Sequence, residues 1–258
     1  MWQVMDALLK GAGPFAIKAR SASRVQLTFA SYNIHKAVGT DGKRDPQRIL
    51  TVLHELDADV IALQECDRRF GTRASVIDRA ALDDTPWRAM SVARRPSSLG
   101  WHGNALLIRR SFDHVEAHPV ALPTLEPRGA VRGDFTVEGI RIRALGMHLD
   151  LSGLRRRDQV RAILKHLDGC DHGCPAVLLG DFNQWGVGTG AMREFTEGGW
   201  QSLAPGRSFP SRQPVAQLDR IVASPEWEVT ATGVHHSALA VKASDHLPVW
   251  ARLRLLQE

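Results

Sequence analysis

The sequence predicts an α/β fold with a mixed sheet, and three observations point there. Short apolar runs that read as strands alternate with amphipathic stretches of helical period. Ala130 to Val137 and Ile140 to Met147 read as neighbouring strands joined by a tight turn at Glu138-Gly139, which requires antiparallel pairing and argues against a purely parallel sheet. The chain has 258 residues, a length at which α/β architectures commonly form one domain around one large core. A single domain over residues 25–258 is therefore expected, preceded by a segment, residues 1–24, that is either helical or poorly ordered.

Taken in order, Val25 to Tyr32 alternates apolar and polar residues as a strand does and stops at Asn33. Asp45-Pro46 is an N-cap followed by proline at the first helical position, and Ile49, Leu50, Leu53 and Leu56 then recur at helical spacing. Val60 to Leu63 returns as a strand and delivers Gln64-Glu65 at its end. Strand, helix, strand suggests a crossover that leaves Asn33 and Glu65 on one rim. Arg68 to Ser98 reads mostly as loop, with one short strand near Met90 to Ala93. Further strands are expected at Gly103 to Arg109 and Val115 to Leu122.

Ser152 offers an N-cap for a helix from Leu154 to Leu167, with Leu154, Val160, Ile163, Leu164 and Leu167 on its apolar side. Arg155 to Arg157 are expected on its solvated face. Ala176 to Leu179 is a short buried strand, and a second helix follows near Gly190 to Glu197. The last strands are Leu218 to Val222, Trp227 to Val234 and Leu247 to Leu255. No repeat, low-complexity tract or linker divides the chain.

Composition narrows the function less than the motifs do. A formal charge of +5 and a sequence pI near 9.5 attract polyanions, although a solvated basic surface accounts for them equally well. Three cysteines are too few, and odd in number, for a disulfide framework. His166, Cys170, His172 and Cys174 lie close together, but their spacing matches no zinc pattern. Apolar stretches near the N-terminus are too interrupted for a signal peptide, and none elsewhere is long enough for a transmembrane span. A soluble, cytoplasmic monomer is expected.

The chemistry gathers at strand ends. Leu178-Leu179-Gly180-Asp181-Phe182-Asn183 is a buried strand leaving sharply into a loop, where α/β folds keep their reactive groups. Asp181 offers anionic oxygens and Asn183 a neutral donor and acceptor, a pair suited to a phosphate beside a hard cation. Other strand ends carry Asn33, Glu65, His148, Asp219, Asp245 and His246. Amides, carboxylates and imidazoles together are what metal-assisted phosphoester hydrolysis requires. Mg²⁺ takes oxygen ligands and only one or two protein carboxylates, a role that fits Glu65. A His246–Asp219 pair would suit proton abstraction from water.

The blocks Tyr32-Asn33-Ile34, Leu63-Gln64-Glu65, Gly103-Asn104-Ala105, Met147-His148-Leu149, Gly180-Asp181-Phe182-Asn183, Leu218-Asp219-Arg220-Ile221 and Ser244-Asp245-His246-Leu247-Pro248 resemble, in order, those of the endonuclease/exonuclease/phosphatase superfamily, the group of DNase I. Each block is weak alone, and the ordered set from about Leu27 to Trp250 is specific. The resemblance implies a four-layer α/β sandwich, two mixed sheets packed face to face with helices outside, and a divalent-metal phosphodiesterase or phosphatase. It implies Glu65 as principal Mg²⁺ ligand, with Mn²⁺ an alternative ion, and Asn33 and Asp245 near the metal. It further implies His246, oriented by Asp219, as general base or phosphate-stabilising group, and Asp181 and Asn183 as residues that position the nucleophile and hold phosphate oxygens. His148 matches a second histidine that assists the leaving oxygen.

His148 stands where abasic-site endonucleases carry tyrosine, and His35 where they carry an acid, which counts against a repair enzyme of that kind. No carboxylate partner for His148 is evident, because Asp150 would point away in a regular pleat. Asn104 and Arg128 are candidate substrate contacts, with Arg128 in a Glu126-Pro127-Arg128-Gly129 segment able to clamp a phosphate. Arg44 and Arg73 are weaker ones, and Trp185, just past Asn183, could stack on a base or a head group. Three readings follow: a nuclease-like phosphodiesterase, favoured by the basic pI and His148; a phospholipid or phosphoinositide head-group hydrolase; and a catalytically silent binding module. A lipid enzyme should show exposed apolar loops, and a nuclease a steep salt dependence.

Overall fold

Three strands with every residue buried, and a fourth buried save at its last residue, lie two to a sheet and set the architecture. In the computed structural model, which describes residues 22–124, 128–168, 174–186 and 189–256, β2 (Val60–Gln64), β8 (Ala176–Asp181) and β10 (Asp219–Ala223) are the three, and β4 (Ala105–Arg109) is the fourth. Each buried strand lies inside a mixed sheet whose faces are covered on both sides. The first sheet has the order β11-β12-β1-β2-β4-β3, where β1 is Ala22–Asn33, β3 Trp87–Ala89, β11 Trp227–Val234 and β12 Val249–Leu256. The second has the order β5-β6-β7-β8-β10-β9, where β5 is Asp113–Val120, β6 Gly129–Val137, β7 Ile140–His148 and β9 Gln201–Leu203. Each sheet contains one parallel pair, β1 with β2 and β7 with β8, and antiparallel pairs elsewhere.

Because side chains alternate across a pleat, each central strand serves two cores. Phe29, Ala62, Val131, Phe135, Leu179, Trp227 and Val249 meet between the sheets. Their chain neighbours turn the other way. Ala30, Ile61 and Leu63 pack with α1 (Pro46–Leu56), α2 (Arg79–Asp83) and α5 (Ala238–Ala243) on the outside of the first sheet. Leu145, Leu178 and Val222 pack with α3 (Gly153–Asp168) and α4 (Met192–Glu197) outside the second. The result is the expected four-layer α/β sandwich. At Gly146 a Cβ would lie 3.1 Å from Leu106 Cδ2 and 3.2 Å from Ala62 Cβ, so the two sheets approach closely there.

Local expectations are met in most places. Asp45 Oδ1 accepts the Arg48 amide at 3.2 Å, the cap expected for α1. Glu138 and Gly139 turn the β6–β7 hairpin with φ of 50° and 79°, the left-handed pair of a type I′ turn. Others need correction. The short strand expected near Met90 to Ala93 lies earlier, at β3, because pairing with β4 runs from Trp87 to Ala89 and ends with the Met90 amide donating to Leu106 O at 2.8 Å. The segment read mostly as loop also holds α2, and α5 and β9 were not anticipated, each being too short to show a period. Leu154 is not on the buried side of α3 but 77% exposed. It lies six residues before Val160, about 240° round the helix. Arg156, expected in solvent, is buried, with Nε 3.2 Å from Gln184 Oε1 and Nη1 3.1 Å from Asp150 O. Residues 1–21, Glu126, Pro127, Cys170 and His172 lie outside the described residues, so the N-terminal segment and half of the His/Cys cluster are not part of this description.

Candidate active site

Strand register assembles the site. Parallel pairing of β7 with β8 sets His148 opposite Asp181, and antiparallel pairing of β8 with β10 sets Asp181 opposite Asp219. Three reactive side chains thus stand in a row across one sheet. The other sheet supplies its own row, since β1 pairs with β2 so that Asn33 faces Gln64 and Glu65 follows at the strand exit. Glu65 and Asn183 leave their strands with φ of 56° and 49°, a left-handed turn uncommon outside glycine that ends each strand sharply.

Asp181 is the hub. Its Oδ2 accepts from Asn33 Nδ2 at 3.1 Å, across the gap between sheets, and lies 3.3 Å from His148 Nε2 and 3.8 Å from His246 Nε2. Its Oδ1 accepts the Asn183 amide at 2.9 Å, while Asn183 Nδ2 donates to Leu149 O at 2.9 Å. Burial would raise the pKa of this carboxyl, but the two imidazoles and the Asn183 amide outweigh it and hold the group ionised. The missing partner of His148 is therefore Asp181, not Asp150, whose Oδ1 instead accepts the Ser152 amide at 2.8 Å. Arg128 Nη1 also contacts His148 Nε2, because Gly129 pairs with His148 across β6 and β7. A neutral His148 can accept from Arg128 at Nε2, and a protonated one donates there to Asp181.

His246 forms the second centre. Its Nδ1 is 2.8 Å from Asp219 Oδ2, which also accepts from Ser208 Oγ at 2.5 Å. Burial alone would lower the imidazole pKa, yet the carboxylates of Asp219, Asp181 and Asp245 push it up to about 10. Ser244 Oγ donates to Asn33 O at 2.7 Å and accepts the His246 amide at 3.3 Å, and the Leu247 amide donates to Ser208 O at 2.8 Å. These bonds tie the Ser244–Leu247 loop to the end of β1 and to the segment that leads into β10. Phe209 packs on the ring with centroids 4.8 Å apart.

Glu65 and Asp245 reach the same mouth through the turn after β1. The Lys36 ammonium sits on Glu65 Oε2, the His35 amide donates to Asn33 Oδ1 at 3.1 Å, and His35 Nδ1 is 3.8 Å from Asp245 Oδ1. Burial opposes ionisation of Glu65, but Lys36, His148 and His35 lower its pKa overall. A second donor set is buried beside it: ligand atoms of Asp181, Asp219 and His246 all lie within 4.8 Å of one another.

Asn104 is fully buried, and its Nδ2 donates to Gly129 O at 3.2 Å, so it braces the strand that carries Arg128 and does not face the cleft. Sequence reasoning missed Lys36 and Ser208, which sit in no block and are recruited by the fold alone. It also missed Arg220, a fully buried guanidinium whose Nη2 donates to Gln184 O at 2.8 Å and Gly186 O at 3.1 Å, holding the loop after Asn183. Beside Glu65, His148 and Arg128 opens a cleft lined by Arg68, Arg69, Arg73, Arg94 and Arg95, with Trp101 and His102 at its wall.

The chain is similar to known proteins in sequence and in fold. The Escherichia coli (strain K12) protein YbhP, itself uncharacterized, is 26% identical over 247 residues, covering 86% of this chain and 94% of YbhP. An endonuclease/exonuclease/phosphatase family protein from Bacteroides thetaiotaomicron superposes with a TM-score of 0.71 at 22% identity, covering 90% of this chain and 98% of the other. A mannosyl-6-phosphatase from the same organism gives 0.69 at 22% identity, covering 88% and 99%. At such identities the two structures establish the fold alone. The sequence profile of the Endonuclease/Exonuclease/phosphatase family matches residues 30–246, spanning every strand end just described, and the chain belongs to that family.

Proposed function

We propose that the protein is a divalent-metal-dependent phosphodiester hydrolase. The observation that carries this reading is the convergence on Asp181 of Asn33 from β1, His148 from β7 and His246 from the loop before β12. Glu65, Asn33 and Asp245 offer oxygen donors only, and an ammonium already rests on Glu65, so the set fits a hard cation such as Mg²⁺ or Mn²⁺. When bound, such an ion would polarise a phosphoryl oxygen.

The remaining chemistry belongs to the side chains. The 3.8 Å between His246 Nε2 and Asp181 Oδ2 is too long for a direct hydrogen bond, and an attacking water seated beside the pair can bond to both. His246, fixed through Nδ1 by Asp219, takes the water's proton at Nε2. Asn183 and Arg128 hold phosphate oxygens, and His148 passes a proton to the leaving oxygen, a need that arises with a diester. Asn104 acts by positioning the Arg128 strand.

A charge of +5 and the arginine-lined cleft support nucleic acid as substrate. The exposed apolar side chains at the mouth, Trp185 and Phe70 among them, favour a phospholipid head group, and we take that as the better reading. The test is a panel of bis(p-nitrophenyl) phosphate, plasmid, RNA and phospholipid vesicles, each with Mg²⁺ or EDTA. Metal-dependent cleavage of the diester with the vesicle lipid is expected; failure on every diester would overturn the reading.

A further inference from the structure

Among the described residues, the large hydrophobic side chains that stand exposed are Phe70, Leu151, Leu154, Trp185 and Val215, at 81, 68, 77, 65 and 55% of full exposure. Single exposed apolar residues are ordinary. Their confinement is not. Phe70 follows Glu65 out of β2, Leu151 and Leu154 follow His148 out of β7, and Trp185 follows Asn183 out of β8. Val215 precedes Asp219, where β10 enters beside the exit of β8. All five therefore lie at the end of the sandwich where the reactive residues gather.

The same end is basic. Arg68, Arg69, Arg73, Arg94, Arg95 and Arg128 line the cleft beside Glu65. Arg94 stacks over Trp101 at 4.9 Å, and among the described residues Arg68, Arg73, Arg94 and Arg95 form no ion pair with a carboxylate. The field is felt locally: burial, Arg73 and Arg95 together lower the pKa of His102. A single strand of nucleic acid would use the arginines and leave Leu151, Leu154 and Val215 idle. A second copy of the chain would set arginine against arginine.

We infer that this end of the molecule docks on an anionic phospholipid bilayer, with Phe70, Leu151, Leu154 and Trp185 entering the interface and the arginine cleft receiving head-group phosphates. The inference rests on the lipid reading of the site and adds where and how the protein meets its substrate. Apolar insertion supplies affinity without regard to charge, and the arginines make it selective for acidic surfaces and sensitive to salt.

The experiment uses the full chain carrying Glu65→Gln, so that binding is measured without turnover. Sedimentation with phosphatidylcholine vesicles is compared with vesicles containing roughly one-third phosphatidylglycerol, over a range of salt. Binding to the acidic vesicles is expected to exceed that to neutral ones, and Phe70→Ser with Trp185→Ser to weaken it about tenfold. Lipids brominated near the interface should quench part of the tryptophan fluorescence, and Trp185→Phe should remove that part. Equal binding by the double variant, or none by the parent, overturns the docking surface. Separately, wild type and Leu154→Ser, which alters an exposed side chain of α3, are expected to cleave bis(p-nitrophenyl) phosphate at equal rates. Diester cleavage without vesicle binding would sink docking and spare the hydrolase, and vesicle binding without diester cleavage would do the reverse.

Discussion

His246 Nδ1 lies 2.8 Å from Asp219 Oδ2, while Nε2 on the opposite side of the ring is 3.8 Å from Asp181 Oδ2. One buried imidazole is thus suspended between two buried carboxylates, one in hydrogen-bond contact and one just beyond hydrogen-bond distance.

This suspension sets a pH dependence. A base works only unprotonated, and the carboxylates raise the ring's pKa to about 10, so activity should climb as pH rises from neutral toward that value. Asp219→Asn removes the nearest charge that raises it. The climb should move to lower pH while the maximal rate falls by about 10²–10⁴-fold. Rate against pH for both proteins decides the point; a rate that falls with rising pH would mark the ring as a cation beside the phosphate and not as a base.

Stability should carry the same signature with the opposite sense. The folded pKa of His246 exceeds the ordinary 6.5, so the favourable contribution is complete below 6.5 and is lost as pH rises toward about 10. In EDTA, wild type should lose Tm across that window more steeply than His246→Gln. Parallel curves would show that the ring does not hold its extra proton.

Glu65→Gln should abolish metal-dependent turnover and leave the far-ultraviolet spectrum and Tm near those of wild type, because the side chain sits at the mouth and, among the described residues, is bonded only by Lys36. Turnover at the wild-type rate would remove Glu65 from the cation site.

Asp134 is fully buried in β6 and takes two bonds from Arg143, Nε to Oδ1 at 2.9 Å and Nη2 to Oδ2 at 2.7 Å. Asp134→Ala strands a buried guanidinium and should cost about 3–5 kcal/mol in urea unfolding. A loss under ~1 kcal/mol would mean that solvent reaches and compensates Arg143.

The fold was legible where one residue type carries one physical consequence. Asp45-Pro46 marks a helix start, Glu138-Gly139 a hairpin, and a buried run such as Ala176 to Leu179 a central strand, because each constraint is local. The candidate residues drew notice for a related reason: a charged or amide side chain at the end of a buried strand is expensive unless used. What escaped depends on partners distant in sequence. Arg156 looks like its neighbours Arg155 and Arg157, and only the position of Gln184 makes it a buried brace. Lys36 and Ser208 reach Glu65 and Asp219 through turns whose course no periodicity encodes. Asn104 was read as a substrate contact because its block borders the mouth, whereas the Gly129 carbonyl claims it.

Asn33 bonds Asp181 across the seam between the two sheets, over a chain separation of 148 residues. Half of the reacting groups belong to one slab and half to the other, so neither slab is an enzyme by itself. A molecule in which the slabs have slipped by one pleat would keep its ladders and its circular dichroism and yet turn over nothing. Catalysis in this protein is accordingly a gauge of how well two halves mate, sensitive to a misfit at Gly146 that spectroscopy of the backbone would pass unnoticed.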